Sequence, residues 1–397
     1  MKASLNFHPV VWTLLTGTIF TRAASSMALP FLALYLSSSQ QVNPVLIGIT
    51  IGLSPLSSTL GGFMGGYLSD RIGRKKVMLS AIALWSLVYC GFALADHIVL
   101  FMILNVLNGL CRSFFEPSSQ AMMGDLTESR LRKRVFSLRY TAINVGAAVG
   151  PLLGVYIAGF SSSLPFLITG IMYFLYGIAL LIMLNKFSTA QITPEKKLSL
   201  SETLTVVLRD RILLLFVIGG ILVNFGYSQV DSTLPQYLQT SFQEGVVLFS
   251  RLISLNAIMV ILLQYPLSVF SEKWPVMNTI MVGCTLFAVG FAGFGFATTP
   301  IWFIISMIIV TIGEIFVFPS TSVFIDMIAP EGRRGTYFGA AQFRSIGNFS
   351  GPVFGGWLLM ETGGHWLFII IGFIILSSLL FYSSGNKLFS KTKPVSD

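Results

Sequence analysis

Five ionisable side chains, Arg22, Arg112, Glu116, Asp231 and Glu314, stand inside long apolar stretches of the sequence. Glu314 is set in "IISMIIVTIGEIFVFPSTSVFI", residues 304–325, where a charge facing lipid would be costly. Partial dehydration disfavours the charged form of a carboxylate, so such a group can take a proton on one side of a membrane and release it on the other. A cation competing for the same carboxylate would couple two fluxes without a covalent step. Glu314 is the first expectation for that carrier and Asp231 the second. Arg112 and Glu116 are spaced i,i+4, which places them on one helix face as an ion pair. The alternative is that Glu314 and Glu116 are static counter-ions for Arg112 and Arg22.

The elements that must position these groups are membrane-spanning helices. The chain has 397 residues, 54% hydrophobic and 10% charged, whereas a soluble domain has about a quarter of its residues charged. Apolar runs recur from end to end, each long enough to cross about 30 Å of hydrocarbon. Twelve spans are predicted: 10–36, 45–68, 77–95, 98–123, 135–160, 164–185, 211–240, 246–270, 276–297, 301–327, 336–360 and 365–384. The first exceeds the apolar core of a signal peptide and is kept as a mature helix. Arg22, Arg112 and Glu314 then lie about 20 Å from the face at which their spans start, and Asp231 about 30 Å. The five charges fall in spans one, four, seven and ten, and ionisable groups at such depth face an interior or a water-filled path. Arg139, Arg251 and Arg344 sit nearer span ends, where snorkelling or interface pairing accounts for them.

Charge placement sets the orientation. Alternating the loops between two sides puts 20 of the 25 Lys and Arg residues on one side and none in the opposite loops. By the positive-inside rule both termini are cytoplasmic. The net charge of +9 then reflects basic loops facing anionic lipid, with no nucleic-acid partner. Cys90, Cys111 and Cys284 all fall in apolar segments and read as small buried residues, with no metal site. His8, His97 and His365 lie at or beyond span ends and are given no proton role. Neither a P-loop nor a metal motif nor a nucleophile–base set is present, so an enzyme is not expected.

The halves repeat weakly. "EPSSQAMMGDLTESRLRKRVFSL" (116–138) parallels "FPSTSVFIDMIAPEGRRGTYFGA" (318–340), and "GPLLGV" (150–155) parallels "GPVFGG" (351–356). This predicts an N-terminal six-helix half, 1–185, a cytoplasmic linker, 186–210, and a C-terminal six-helix half, 211–397, with a site between the halves near the bilayer midplane.

"GGYLSDRIGRKK" (65–76), between spans two and three, resembles the signature of the major facilitator superfamily through Gly66, Asp70, Arg71, Gly73, Arg74 and Lys75. "GAAVGPLLG" (146–154) resembles the Gly-Pro motif of that superfamily's drug:proton antiporters, with Gly146, Gly150, Pro151 and Gly154 as its counterparts. "FGYSQVDSTLPQYL" and "TIGEIFVFPS" are similar to stretches of multidrug:proton antiporters whose carboxylates handle protons and cationic drugs, which implicates Asp231 and Glu314. Two positions depart from the pattern: Asn105 stands where the fourth helix often carries Arg, and Arg139 stands near a third acidic position.

The resemblance implies an all-α polytopic fold of twelve transmembrane helices in two pseudo-symmetric halves, with spans one, four, seven and ten lining a central cavity. It implies that Asp70 meets a helix N-terminus and basic groups of the neighbouring loop when the cytoplasmic side is shut. The expected function is H+ antiport, exporting lipophilic cationic or zwitterionic compounds (multidrug efflux) by alternating access. Arg112, Glu116, Asp231 and Glu314 would couple protons, while Arg22, Met27, Phe114, Phe115, Tyr227, Asp231, Glu314, Phe316 and Phe318 would line the substrate cavity. No cofactor is expected beyond the coupling protons. The partners would be a small lipophilic substrate and the lipid bilayer of a bacterial plasma membrane, and the chain a monomer. A lipid or glycolipid flippase and an exporter of a defined metabolite are the alternatives on this fold. In the last of these, Arg22 and Arg112 would clamp an anion.

Overall fold

Pro9 opens the first long helix, where its missing N–H and fixed φ are no loss, and the His8 ring accepts the N–H of Val10 at 3.3 Å. The computed structural model describes residues 7–38, 44–161, 163–187 and 200–392. Lys2, Lys196, Lys197, Lys393 and most of the expected linker lie outside the described residues. The helices are α1 (Pro9–Ser38), α2 (Pro44–Ile72), α3 (Arg74–Leu94), α4 (Ile98–Asp125), α5 (Arg132–Ala158), α6 (Leu164–Lys186), α7 (Leu200–Arg209), α8 (Arg211–Tyr227), α9 (Thr233–Ser241), α10 (Gly245–Phe270), α11 (Val276–Phe296), α12 (Pro300–Ile328), α13 (Arg334–Ala340) and α14 (Ile346–Thr392). No strand occurs among the described residues. Eight helical stretches among them are long and apolar enough to cross a membrane.

Three elements differ from the sequence reading. Span seven is not one helix: α8 ends at Tyr227, and α9 starts at Thr233. The intervening turn is held by Gln229, fully buried, which donates to the carbonyls of Phe225 and Gly351 and accepts from the Thr233 hydroxyl at 2.9 Å. Polar side chains that bond nearby backbone in this way compete with the helical ladder. Span eleven starts as the short α13 and passes through a 3-10 turn, Ala341–Ser345, before α14. The assignment of 186–210 to a linker meets a ten-residue helix, α7, over its last part.

The chain forms two units, residues 1–200 with 329–342, and residues 201–328 with 343–397. The first packs α1 on α5, α2 on α4, and α3 on both α4 and α6; α13 packs on α2. The second repeats the scheme internally, with α8 on α14, α10 on α12, and α11 on both α12 and α14. Gly363, with φ of 74°, joins the two helical runs merged in α14.

Gly146 and Gly150 explain the close contact of α5 with α1. A Cβ on Gly146 would lie 2.6 Å from the Ile19 carbonyl and the Arg22 Cβ, and one on Gly150 only 2.4 Å from the Ala23 carbonyl. The backbone of α5 therefore rests directly on α1 around Arg22, the small-residue packing usual between membrane helices. Pro151 faces outward, and Gly154 is buried. Substituting Gly150→Leu should push α5 off α1. The expected outcome is a lower thermal midpoint of the purified protein, by the equivalent of about 1–3 kcal/mol for overpacking; an unchanged midpoint would mean that α5 is free to move aside.

Candidate functional site

In the first unit Glu116 on α4 accepts from two arginines. Arg22 Nη2 on α1 lies 2.7 Å from Glu116 Oε1, and Arg112 Nε lies 3.2 Å from the same oxygen. The i,i+4 pair read from the sequence is thus present, joined by a second guanidinium from another helix. Around them is a cavity of about 120 Å³, walled by Ser54, Trp85, Tyr89, Asn108, Phe115 and Tyr173 among others. Arg139, near the start of α5, also lines it. Met27 is buried on α1 and, like Phe114, is not part of the wall. The wall is held by polar bonds between helices: Trp85 Nε1 donates to Asn108 Oδ1 at 2.7 Å, and Asn108 donates to Ser54. Asn105, standing where the family often has Arg, donates to the carbonyl of Thr50 and ties α4 to α2.

In the second unit Glu314 lies mid-α12 and is fully buried. Its Oε1 accepts from the Tyr227 hydroxyl at 3.1 Å and its Oε2 from Asn256 Nδ2 at 2.6 Å. Asn256 also donates to the Thr311 hydroxyl at 3.0 Å. Tyr227, Phe287 and Phe318 form a ring cluster beside the carboxylate, with centroids 5.2–6.1 Å apart. Phe316 is on another face of α12, 6.0 Å from Trp274. Asp231 lies in the turn between α8 and α9, exposed, with no hydrogen bond to its carboxylate among the described residues. Asn256 and Thr311 were missed in the sequence; an amide about three turns inside a largely apolar span was the available signal.

The signature residues make a third cluster, inside the first unit. Asp70 accepts from the backbone N–H of Gly335 at 3.1 Å, from that of Thr336 at 2.6 Å and from the Thr336 hydroxyl at 2.8 Å. Gly66 permits this, because a Cβ there would lie 2.0 Å from the Gly335 carbonyl. Arg74 pairs with Asp70 at 3.6 Å and with Asp125, which in turn receives Arg334 at 2.6 Å. Acid and base thus alternate through Asp70, Arg74, Asp125 and Arg334. Arg71 turns aside to the Tyr67 hydroxyl at 2.5 Å, and Lys75 to Asn185 at the end of α6 at 2.6 Å. Gly73, with φ of 109°, makes the turn between α2 and α3.

Helices throughout the described residues, repeated helix pairings and charges buried in both units define a polytopic membrane transporter. The chain belongs to the Major Facilitator Superfamily, whose family model matches residues 14–347. It is 39% identical over 359 residues to YqjV, an uncharacterized MFS-type transporter of Bacillus subtilis, covering 90% of this chain and 88% of that protein. It is 30% identical over 404 positions to a Na(+), Li(+), K(+)/H(+) antiporter of Planococcus maritimus, covering 92% and 93%. The fold matches that of the proton:xylose symporter XylE with a TM-score of 0.71 over 94% of each chain, at 17% identity. The protein is therefore a multi-pass membrane protein and a transporter of this superfamily.

Asp70 follows the apolar stretch 45–68, and burial pushes its carboxyl up to about 6 from an ordinary 3.8, against the pull of Arg74 and the Thr336 and Gly335 donors. Between those values the folded chain binds a proton that the unfolded chain releases, so this group adds stability as the pH falls. Against Asp70→Asn, the wild type should therefore gain in thermal midpoint on going from about pH 7.5 to about pH 5. A difference between the two proteins that stays constant over that range would place the proton elsewhere.

Proposed function

We propose that this chain is an H+-coupled antiporter exporting lipophilic cationic or zwitterionic compounds by alternating access, with both termini cytoplasmic. The observation that carries the reading is Glu314, a fully buried carboxylate in mid-helix held by the neutral donors Tyr227 and Asn256. Glu116, by contrast, is engaged by two guanidiniums and serves as their counter-ion. A proton arriving at Glu314 meets a carboxylate whose Oε1 and Oε2 accept from a phenol and an amide, whereas one arriving at Glu116 would leave two cations without their shared anion. The rings of Tyr227, Phe287 and Phe318 add faces that attract an organic cation next to the same carboxylate. Competition between cation and proton at Glu314 is then the coupling step, and Asp231 is a second acid on its path.

A second reading is exchange of an alkali cation for protons. The Thr311 hydroxyl beside Glu314 favours it, as does the activity named for the Planococcus maritimus relative.

Both readings are tested with protein in liposomes under an imposed pH gradient, following a fluorescent lipophilic cation in one arm and Na+-dependent collapse of the gradient in the other. Dye movement that needs the gradient and is lost in Glu314→Gln supports drug export. Gradient collapse by Na+ without dye movement moves the function to alkali-cation exchange. Coupled transport that persists in a well-folded Glu314→Gln protein overturns the proton assignment in either case.

A further inference from the structure

The cavity of the first unit has an unequal charge balance. Arg22, Arg112 and Arg139 all line it, and Glu116 is the one carboxylate among its lining residues. That carboxylate is already engaged, since a single oxygen receives both Arg22 and Arg112. Arg112 uses Nε for this contact. Its two terminal nitrogens donate to no described residue, and the side chain is 41% exposed. A guanidinium in this state presents the forked pair of N–H groups that binds an oxyanion through two parallel hydrogen bonds.

Tyr89 supplies a second, independent observation. It lines the same cavity, is fully buried, and its hydroxyl has no hydrogen-bond partner among the described residues. A buried hydroxyl left in that state is costly, and a ligand oxygen that accepted from it would remove the cost. Its guanidinium neighbours can only donate. The Arg112 terminal nitrogens and the Tyr89 O–H can both donate to one ligand group, and the excess of guanidiniums over carboxylates favours an acceptor carrying negative charge. A cation entering here would meet like charges and an acid already shared by two arginines.

Size and wall composition narrow the ligand. At about 120 Å³ the cavity is below the roughly 300–1,000 Å³ of pockets that bury a whole drug-sized molecule. Trp85 and Tyr173 on its wall lie with ring centroids 4.7 Å apart, and Tyr89 stacks on Tyr173 at 5.4 Å. We infer that the cavity between α1 and α4 of the first unit binds a carboxylate group carried on a small aromatic or apolar body, with the free nitrogens of Arg112 and the Tyr89 hydroxyl as its donors. The ligand is either a small organic acid or the acid end of a larger amphiphile. Through that acid the inference narrows the cationic or zwitterionic compounds of the export reading to zwitterions, and to that extent it rests on that reading. Binding itself depends only on the geometry of this unit.

The test is equilibrium dialysis of radiolabelled benzoate against the purified full chain in detergent, with no gradient, so that its outcome is separate from proton coupling. Saturable binding is expected, displaced by unlabelled benzoate and not by benzylamine or benzyl alcohol. Arg112→Lys, which loses the fork and keeps the charge, should weaken binding about tenfold or more. Tyr89→Phe, which removes one unpartnered hydroxyl, should weaken it about threefold to tenfold while leaving the thermal midpoint at or above that of the wild type. Stronger displacement by 4-octylbenzoate than by benzoate assigns the site to the acid end of an amphiphile, and equal or weaker displacement assigns it to a small acid. Absence of saturable binding overturns the inference, as does displacement by benzylamine on a par with benzoate. Wild-type affinity in a folded Tyr89→Phe protein also overturns the assigned donors, whether or not Arg112→Lys can be purified.

Discussion

A charge placed where water does not follow must be met by charges or dipoles of the protein itself, and this constraint organises both units. It is met in three ways here. Glu116 is met by two full cations from different helices. Glu314 is met by a phenol and an amide. Asp70 is met by two backbone N–H groups, a hydroxyl and a guanidinium in an alternating chain of four charges. The three solutions differ in what each loses when a proton arrives. A carboxylate shared between cations strands them on protonation, and removal of one partner of a buried pair is strongly unfavourable. A phenol and an amide that donate to a carboxylate carry no charge to strand. That difference, more than depth in the membrane, is what separates the proposed proton carrier from the proposed counter-ion.

Much of this is legible in the sequence. The helical runs and the repeat follow from apolar length and from the paired "EPSSQAMMGDL" and "FPSTSVFIDMI" stretches, because backbone in hydrocarbon has few alternatives to a helix. The Arg112–Glu116 pair followed from helical spacing alone. Less legible was anything decided by side chains that meet across helices. Span seven read as continuous because its composition stays apolar on either side of residues 228–232, whereas the break is made by Gln229 reaching Gly351, 122 residues away. Arg139 reads as a snorkelling or interface-pairing residue near a span end, and its place on the cavity wall is hidden because depth counted along one helix carries no information on which neighbour that helix faces. The partner of Arg74 was hidden for the same reason: Asp125 is close to it only once α3 and α4 are packed.

The glycines of the first unit connect packing to charge. Gly146 and Gly150 let the α5 backbone touch α1 on both sides of Arg22, and Arg22 reaches across to Glu116 on α4. The same Glu116 oxygen fixes Arg112, whose remaining nitrogens face the cavity. Three helices are therefore joined through one carboxylate oxygen and two close backbone contacts. A shift of α5 along α1 cannot leave the ion pairs untouched, because a Cβ-free surface offers no side chain to absorb the movement. The resemblance to an antiporter motif gains a physical content from this: small residues on α5 determine where a guanidinium on α1 can be.

The signature cluster shows why its residues cannot be exchanged one at a time. Asp70 sits over the first N–H groups of α13, and those N–H groups are within reach only because Gly66 allows the α13 backbone to approach. Arg74 then needs both Asp70 and Asp125, and Asp125 needs Arg334 as well as Arg74. The side chain of each member is buried, so replacing one leaves its neighbour short of a partner. Arg71 and Lys75, which share the motif, spend their charge on Tyr67 and on the end of α6 and stand outside the alternation. The motif is thus two devices in one stretch of chain: a buried latch made by Asp70 and Arg74, and a pair of flanking cations that tie the turn to its neighbours.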